Sequence, residues 1–171
     1  MTLEIAEFRS PIGPLLIAVR DGVLAALEFV EPDRRAGFVR RFGDVEVRPA
    51  ADPAGVASRL AAYFAGDLAV LDGVAVDLGG THFQRRVWAA LRSIPPGETV
   101  SYQTLAHRIG APAAVRAVGA ANGANPVAIV VPCHRVIGAD GRLTGYAGGI
   151  ERKRWLLAHE RAGMLEQRSL L

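Results

Sequence analysis

Near the N-terminus, apolar and polar residues alternate as they do in β-strands with one buried face. LEIAEFR and PLLIAVR flank a Ser-Pro-Ile-Gly turn, and Asp21-Gly22, a strong hairpin signal, precedes VLAALEF. We therefore predict a β-meander, then a short helix through RRAGFVRRF and another strand at DVEVR. Asp52 and Pro53 suit the N-cap and first position of a helix through LAAYFAG, which Gly66 would end.

Between residues 83 and 94, the apolar positions recur at helical spacing. Gly79-Gly80 marks the predicted boundary between an N-terminal domain, residues 1–78, and a C-terminal domain, residues 79–171. The N-terminal domain shows no obvious polar cluster, and we interpret it as a scaffold. Thr81 would cap a helix through HFQRRVWAALRSI, and Ser101 a second helix through YQTLAHRIG. A third helix follows the turn at Ala111-Pro112. Two short helices joined by a tight turn that contains glycine predict a helix-turn-helix.

The third helix, AAVRAVGAANG, has an unusual composition for a helix that reads bases. It is nearly all Ala, Val and Gly, whereas a base-reading helix usually carries several Arg, Asn or Gln side chains. Its single long residue, Arg116, would suit a smooth helix that approaches a groove floor and inserts one cation. Close packing of the small residues against the rest of the protein explains the pattern equally well.

Charge is segregated along the chain. Residues 1–78 carry eight arginines against twelve acidic residues, whereas residues 79–171 carry twelve basic residues against five acidic ones. A genome rich in G and C explains why Lys153 is the only lysine, but it does not explain the segregation. The basic half therefore favours a polyanionic partner.

Targeting and metal-binding signals are missing from the sequence. There is no signal-peptide pattern, and the apolar runs are much shorter than a membrane span. One cysteine cannot form an internal disulfide, and no Cys/His cluster has zinc spacing. We expect a cytoplasmic protein that binds neither a membrane nor a metal.

The single cysteine ends an apolar run, NPVAIVVPCHRV, that we interpret as a strand. A contact between Cys133 and His134 requires a turn, because neighbouring side chains of an extended backbone face opposite ways. Pro132 favours such a turn. A thiol attacks as thiolate, and a histidine that activates it needs an orienting acceptor, for which Glu160 is the candidate. A lone cysteine is often a buried apolar residue, so a structural role stays open.

Two further segments complete the C-terminal half. VIGADGRLTGYAGGI has five glycines in fifteen residues, which lets backbone groups come close to a ligand. ERKRWLLAHE is predicted to form the last helix, to bury Trp155 and Leu156, and to place Glu160 near its end.

Residues 101–160 resemble the O6-alkylguanine-DNA alkyltransferases, also called methylated-DNA–protein-cysteine methyltransferases. PCHRV with its upstream Asn-Pro, the Arg-Ala-Val-Gly helix and the downstream Gly-Tyr-x-Gly-Gly match in order and spacing. The resemblance is close over residues 81–160, whereas the N-terminal half fits only in size and strand-helix content. It implies an α+β fold with a small N-terminal α/β (ribonuclease H-like) domain and a mostly helical, winged-helix-like C-terminal domain with a helix-turn-helix.

The resemblance also implies four catalytic residues. Cys133 would take the alkyl group from guanine O6, His134 would activate it through a water, and Glu160 would orient His134. The hydroxyl of Tyr102 would reach N3 of the flipped base and help the guanine to leave as a neutral species.

For DNA binding, the resemblance implies that Arg116 enters the duplex in place of the extruded nucleotide. The small residues Ala113, Ala114, Ala117 and Gly119 would permit close approach to the minor groove. We also expect Arg135 to be one of the residues that bind DNA.

Further residues would form the substrate pocket. Asn125 would tie the helix-turn-helix to the active-site segment, and the carbonyls of Cys133 and Val136 would accept from the guanine 2-amino group. Tyr146 would wall the alkyl pocket, and Ala147 would offer O6 only its backbone N–H.

The implied function is direct-reversal repair of double-stranded DNA by one irreversible transfer from O6-alkylguanine to Cys133, without a cofactor. We expect a monomer that can cluster on DNA, and activity on O4-alkylthymine is left open. A sensor that binds alkylated DNA and a cysteine hydrolase are the alternatives. The intact Cys-His-Glu set disfavours the sensor, and the basic half with its helix-turn-helix disfavours the hydrolase.

Overall fold

The computed structural model describes residues 1–169 of the chain and shows a mixed helix and sheet fold, as predicted. Its larger sheet has the strand order β3-β2-β1-β4, in which β1, β2 and β3 form the predicted antiparallel meander and β4 pairs parallel to β1. The four strands are β1 (Thr2–Ser10), β2 (Gly13–Arg20), β3 (Val23–Phe29) and β4 (Glu46–Pro49).

The turn between β2 and β3 confirms the hairpin signal. Asp21 and Gly22 have φ values of 51° and 81°. These left-handed conformations are the pair that a two-residue type I′ turn requires, and its twist matches that of the flanking strands.

Six α-helices form in the described part of the chain, and two of their N-caps in the C-terminal half are the residues that the sequence predicts. Thr81 forms a reciprocal capping box with Gln84, and Ser101 accepts a hydrogen bond from the backbone of Thr104. The helices are α1 (Arg35–Arg40), α2 (Val56–Phe64), α3 (His82–Arg92), α4 (Tyr102–Arg108), α5 (Val115–Gly123) and α6 (Ile150–Ser169).

Helix α2 begins later than predicted. Pro53–Gly55 forms a separate 3-10 turn, in which Ala54 and Gly55 have left-handed φ values of 53° and 72°. This conformation interrupts a right-handed helix, so Asp52 is not the N-cap of α2. Its carboxylate instead accepts a hydrogen bond from the backbone of Ser58 at 3.1 Å.

The apolar run before Cys133 is not a strand, contrary to our interpretation. It makes one bridge to the larger sheet, at Val127 beside Leu27 of β3. Ile129 then has a φ of 69°, which turns the chain away from the sheet. Pairing resumes only after the cysteine, where β6 (Val136–Ile137) lies parallel to β5 (Val100–Ser101).

The two halves of the chain share a hydrophobic core. One cluster of buried apolar side chains contains residues of β2, β3 and α2 as well as α3, α4 and α5. The backbone of Leu27 also donates to Pro126 and accepts from Ala128, at 2.9 and 2.8 Å. The segment before Cys133 is therefore fixed directly to the N-terminal sheet. Within residues 1–169, no helix is both long and apolar enough to span a membrane.

Candidate active site

Cys133 lies at the start of a tight turn rather than at the end of a strand. Pro132 has a ψ of 65°, and the three residues that follow it, Cys133–Arg135, form a 3-10 helix. This is the change of direction that the sequence requires if Cys133 and His134 are to serve one site. Cys133 is 8% exposed and lies in the wall of a cavity of about 360 Å³. The other lining residues include Glu28, Phe29, Arg41, Asn122, Asn125, Ala128, Tyr146 and Ala147.

Glu160 is the centre of a buried hydrogen-bond network next to the cysteine. Its Oε1 atom lies 2.7 Å from Nε2 of His134 and accepts from Tyr63 and Arg135 at 2.8 and 2.7 Å. Its Oε2 atom accepts from Nε of Arg135 at 3.0 Å. Burial pushes the pKa of Glu160 upward, but the charges and hydrogen bonds of His134 and Arg135 outweigh it and hold the pKa well below its usual range.

The ionised carboxylate fixes the tautomer of His134. Because Glu160 can only accept, Nε2 of His134 must carry the proton that lies between them. Nδ1 is therefore the ring nitrogen left for the site, and it is buried with no hydrogen-bond partner among residues 1–169. With Nδ1 unprotonated, His134 would accept a proton there, and the carboxylate would stabilise the imidazolium that results.

The resting cysteine is a thiol rather than a thiolate. Burial raises the pKa of the Cys133 thiol, although a hydrogen bond from Asn125 and the charge of Lys153 oppose this in part. A nucleophile in this state needs a base that removes its proton at the moment of reaction.

Lys153 supports the site, and our sequence analysis did not assign it a role. It is fully buried in α6, and its ammonium donates to the carbonyls of Val136 and Thr144 at 2.6 and 2.9 Å. Burial lowers the pKa of Lys153, and the nearby Cys133 opposes this shift. Its status as the only lysine among twenty basic residues was the one available signal.

Tyr63 was also missed, because the N-terminal half was interpreted as a scaffold without a polar cluster. It is a fully buried residue of α2, and its hydroxyl donates to Glu160. His159, the neighbour of Glu160, donates to the backbone carbonyl of Tyr63 at 2.8 Å. Glu160 itself lies in the middle of α6 rather than near its end, since the helix continues to Ser169.

Arg135 does not lie where a DNA-binding residue should, so the structure does not support the role predicted for it. The residue is 5% exposed. Its guanidinium donates twice to Glu160, and Nη1 donates to the carbonyl of Ile94 at 2.6 Å. These bonds fix a buried carboxylate and leave the side chain turned away from solvent.

The exposed face of α5 carries Arg116. Val118 and Ala121 are buried, whereas Arg116 and Ala117 are exposed, as is Ala113 just before the helix. Ala114 and Gly119 are half-buried. The small residues beside Arg116 therefore leave a smooth, accessible surface on the same side as the cation. Close packing against the rest of the protein does not account for every small residue of α5, because some of them are exposed.

The remaining predicted residues line or support the cavity. Nδ2 of Asn125 donates to the carbonyl of Val131 at 2.7 Å, and its Oδ1 accepts from the backbone of Val127 at 3.0 Å. The hydroxyl of Tyr102 donates to the carbonyl of Thr144 at 3.2 Å. Tyr102 thus contacts the glycine-rich loop beside the cavity without being part of the cavity wall.

Tyr146 reaches the cavity from that loop, where Ala147 is exposed. The hydroxyl of Tyr146 is buried without a hydrogen-bond partner among the described residues. A Cβ atom at Gly148 would lie 2.9 Å from Phe29 and from the ring of Tyr146. Glycine at this position therefore lets the loop pack against β3 and close the cavity.

Comparison with known proteins decides which family shares this site. Residues 82–162 match the family model of the 6-O-methylguanine DNA methyltransferase DNA-binding domain. The methylated-DNA–protein-cysteine methyltransferase of Mycolicibacterium paratuberculosis is 55% identical over 159 residues, which cover 93% of each chain. The chain belongs to the methylated-DNA–protein-cysteine methyltransferase family. This confirms the resemblance and the enzyme class predicted from the sequence.

Other members of the methyltransferase family agree with this assignment. The enzyme of that name from Salmonella typhimurium is 51% identical over 159 residues, 90% of this chain and 93% of its own. A crystal structure of the Mycobacterium tuberculosis O6-methylguanine methyltransferase superposes with a TM-score of 0.80 at 49% identity, over 94% of this chain and 93% of that one. The same protein in complex with DNA gives a TM-score of 0.79.

Proposed function

We propose that this protein repairs DNA by a single transfer of the alkyl group from O6-alkylguanine in a duplex to Cys133. The observation that carries the proposal is the placement of Cys133 in a cavity wall directly before the buried His134–Glu160 pair. The curated relatives named methylated-DNA–protein-cysteine methyltransferase support it. In the transfer, a bond forms between sulfur and the alkyl carbon while the bond between that carbon and O6 breaks.

The proton of Cys133 passes to His134 in the proposed mechanism. Nδ1 of His134 is the free acceptor, and it has no hydrogen-bond partner among the described residues, so a water between it and the sulfur would carry the proton. Glu160 stays ionised and stabilises the imidazolium. The departing guanine keeps the electron pair of the broken bond, takes a proton at N3 from the hydroxyl of Tyr102 and leaves as a neutral base. The proton that His134 received then restores the hydroxyl of Tyr102 through solvent.

The product is a thioether, which has no leaving group that a neighbouring residue could activate. Cys133 is the only cysteine, so a second thiol cannot take the alkyl group from it. We infer that each molecule acts once.

Access to O6 requires that the damaged nucleotide leave the stack, which costs a few kcal/mol. We propose that Arg116 enters the duplex from the minor groove and fills the vacated position, as the exposed smooth face of α5 allows. The proposal extends to the finer fold assignment, a ribonuclease H-like N-terminal half and a winged-helix-like C-terminal half. The meander with its parallel edge strand and the α4–α5 pair support that assignment.

One experiment separates repair from the alternative, a sensor that binds alkylated DNA without transfer. The protein is incubated with a duplex that contains one O6-methylguanine, and the peptide with Cys133 is weighed. One added methyl group on that peptide, absent from Cys133→Ala, supports repair. An unmodified peptide from protein that still binds the lesion tightly would establish the sensor instead. A matched duplex that contains O4-methylthymine instead tests whether the protein also acts on O4-alkylthymine.

A further inference from the structure

Ile129 has a backbone conformation that a β-branched residue rarely adopts. Its φ is 69°, and the backbone N–H of Val130 donates to the carbonyl of Ala128 at 2.7 Å. This hydrogen bond closes a three-residue γ-turn with Ile129 at its centre, and the positive φ identifies the classic form, which is rare and strained. Among residues 1–169, the other non-glycine residues with positive φ are Asp21 and Ala54, neither of which is β-branched. The conformation is therefore a clear outlier at Ile129.

The surrounding structure holds this turn from both sides. Before it, the backbone N–H of Ala128 donates to the carbonyl of Leu27 in β3 at 2.8 Å. After it, the carbonyl of Val131 accepts from Nδ2 of Asn125 at 2.7 Å. The side chain of Ile129 is 1% exposed and packs in the hydrophobic core that the two halves of the chain share. Backbone strain persists only where neighbouring contacts impose it, and strained residues cluster at functional sites.

One carbonyl connects the strained turn to the nucleophile. The carbonyl of Val131, which Asn125 fixes, also accepts from the backbone N–H of Cys133 at 2.9 Å. The direction in which the chain leaves Ile129 determines where this carbonyl lies, and with it the place of Cys133 in the cavity wall.

We propose that Ile129 is a positioning residue for the transfer. Its backbone, held at positive φ, keeps the sulfur of Cys133 at the position from which it attacks. A glycine at position 129 would reach the same φ without strain, but it would also sample many other φ values and so loosen the segment. The inference rests on the proposed function for its effect on the rate of transfer.

The test separates the side chain of residue 129 from its backbone. Ile129→Ala removes most of the side chain and keeps the strain, whereas Ile129→Gly also relieves the strain. Ile129→Val keeps both the branching at Cβ and the strain. Val74→Ala and Val74→Gly are the control pair, because Val74 is also buried and outside a helix but has a φ of −74° and does not line the cavity.

Four quantities are measured for each folded variant. They are the urea midpoint of unfolding, the maximal single-turnover rate constant for methylation of Cys133 by a duplex with O6-methylguanine, the half-saturating concentration of that duplex, and the rate of iodoacetamide labelling of Cys133. If the Ala and Gly variants at position 129 do not fold, Ile129→Val and Ile129→Leu, which loses the branching at Cβ, replace them, with slower transfer expected for Ile129→Leu.

Ile129→Gly should unfold at a higher urea concentration than Ile129→Ala, whereas Val74→Gly should unfold at a lower one than Val74→Ala. In spite of its greater stability, Ile129→Gly should transfer about ten- to a hundredfold more slowly than Ile129→Ala, because a small displacement of a reacting atom has a large effect on rate. The half-saturating DNA concentration should stay the same, since α5 is unchanged. Ile129→Val should transfer at close to the wild-type rate, and Cys133 should be labelled faster in Ile129→Gly than in Ile129→Ala.

Transfer by Ile129→Gly that is as fast as that by Ile129→Ala would show that the strained backbone does not position the sulfur. A lower stability of Ile129→Gly than of Ile129→Ala would show that residue 129 carries no strain. Either result overturns the inference. If wild-type protein transfers no methyl group, the proposed function fails, and the labelling rates then decide the inference alone. Equal labelling of the two variants would overturn it, and faster labelling of Ile129→Gly would support it.

Discussion

The hydroxyl of Tyr63 donates to Oε1 of Glu160 at 2.8 Å, although the two residues are 97 positions apart in the sequence. Oε1 is the same atom that lies against His134. Helix α2 of the N-terminal half therefore helps to position the carboxylate that orients the base of the site. Burial, and then the charge of Glu160, raise the pKa of Tyr63 far above its usual value, so the hydroxyl remains a donor.

Tyr63→Phe should lower the free energy of unfolding by about 1–2 kcal/mol, because Glu160 loses one of its donors but keeps Arg135 and His134. It should also slow transfer, since the carboxylate becomes less constrained. Urea denaturation and single-turnover rates measure the two effects. Tyr102→Phe is the matched control for stability, because its hydroxyl bond to Thr144 is longer and more exposed and should contribute less. Equal stability losses in the two variants would contradict the importance of the buried bond.

The sequence predicts the parts of this site that depend on local signals, but not the contacts between distant segments. The meander, the caps at Thr81 and Ser101, and the turn at Cys133 all follow from local signals, namely alternation, capping residues and a proline. The contacts made by Tyr63 and Lys153 depend on how α2 and α6 pack against distant segments, which no local pattern records. Arg135 was misassigned for the same reason. An arginine close to a cysteine in a basic half of the chain suggests a contact with DNA. Only the fold reveals that Glu160 lies against this arginine.

Glu160 should make stability sensitive to acid. Its pKa is lower in the folded protein than in the unfolded chain, so as the pH falls the unfolded chain binds the proton first. Its contribution is fully present above its usual pKa of roughly 4.3 and is lost progressively at lower pH. Glu160→Gln should cost about 3–5 kcal/mol at pH 7, because Arg135 loses its buried partner. The difference from wild type should shrink below about pH 4.

Thermal or denaturant unfolding between pH 7 and pH 3 measures this effect. Glu98→Gln, which changes an exposed carboxylate, should give a curve parallel to that of wild type. A stability difference between Glu160→Gln and wild type that stayed constant over the whole range would show that Glu160 does not carry the acid dependence.

Cys133 should react slowly with small alkylating reagents in the folded protein. Burial raises the pKa of its thiol, so little thiolate is present at pH 7.5, and the side chain is also shielded. Since the chain has one cysteine, iodoacetamide labelling reports on this site alone. We expect labelling to be at least about tenfold slower in folded protein than in urea-unfolded protein. It should also keep rising with pH beyond about 8.5, the usual thiol pKa, where labelling of the unfolded protein levels off. Faster labelling in the folded state would contradict a resting thiol.

Lys153→Met should damage both stability and transfer. The change keeps the side-chain length but leaves the buried carbonyl of Val136, and that of the exposed Thr144, without their shared donor. We expect a loss of about 1–3 kcal/mol in the free energy of unfolding, the cost of one orphaned buried acceptor. Arg154→Met is the matched control on the same helix, because Arg154 is exposed and, among the described residues, pairs only with Glu151. It should change stability by less than about 0.5 kcal/mol.

Arg116 and Arg135, the two arginines that we first assigned to DNA binding, should differ in their effect on how DNA affinity depends on salt concentration. A cation that enters the field of the phosphates contributes to the slope of log affinity against log salt concentration, so Arg116→Met, which removes one such cation, should reduce that slope by up to about one. Arg135→Met should leave the slope unchanged, because its guanidinium is buried on Glu160, and should instead lower the free energy of unfolding by about 3–5 kcal/mol. Fluorescence anisotropy with an undamaged duplex at several salt concentrations, performed well below the melting temperature of each variant, measures the slopes. A reduced slope for Arg135→Met would restore the role that its position in the sequence suggests, and an unchanged slope for Arg116→Met would remove α5 from the DNA contact.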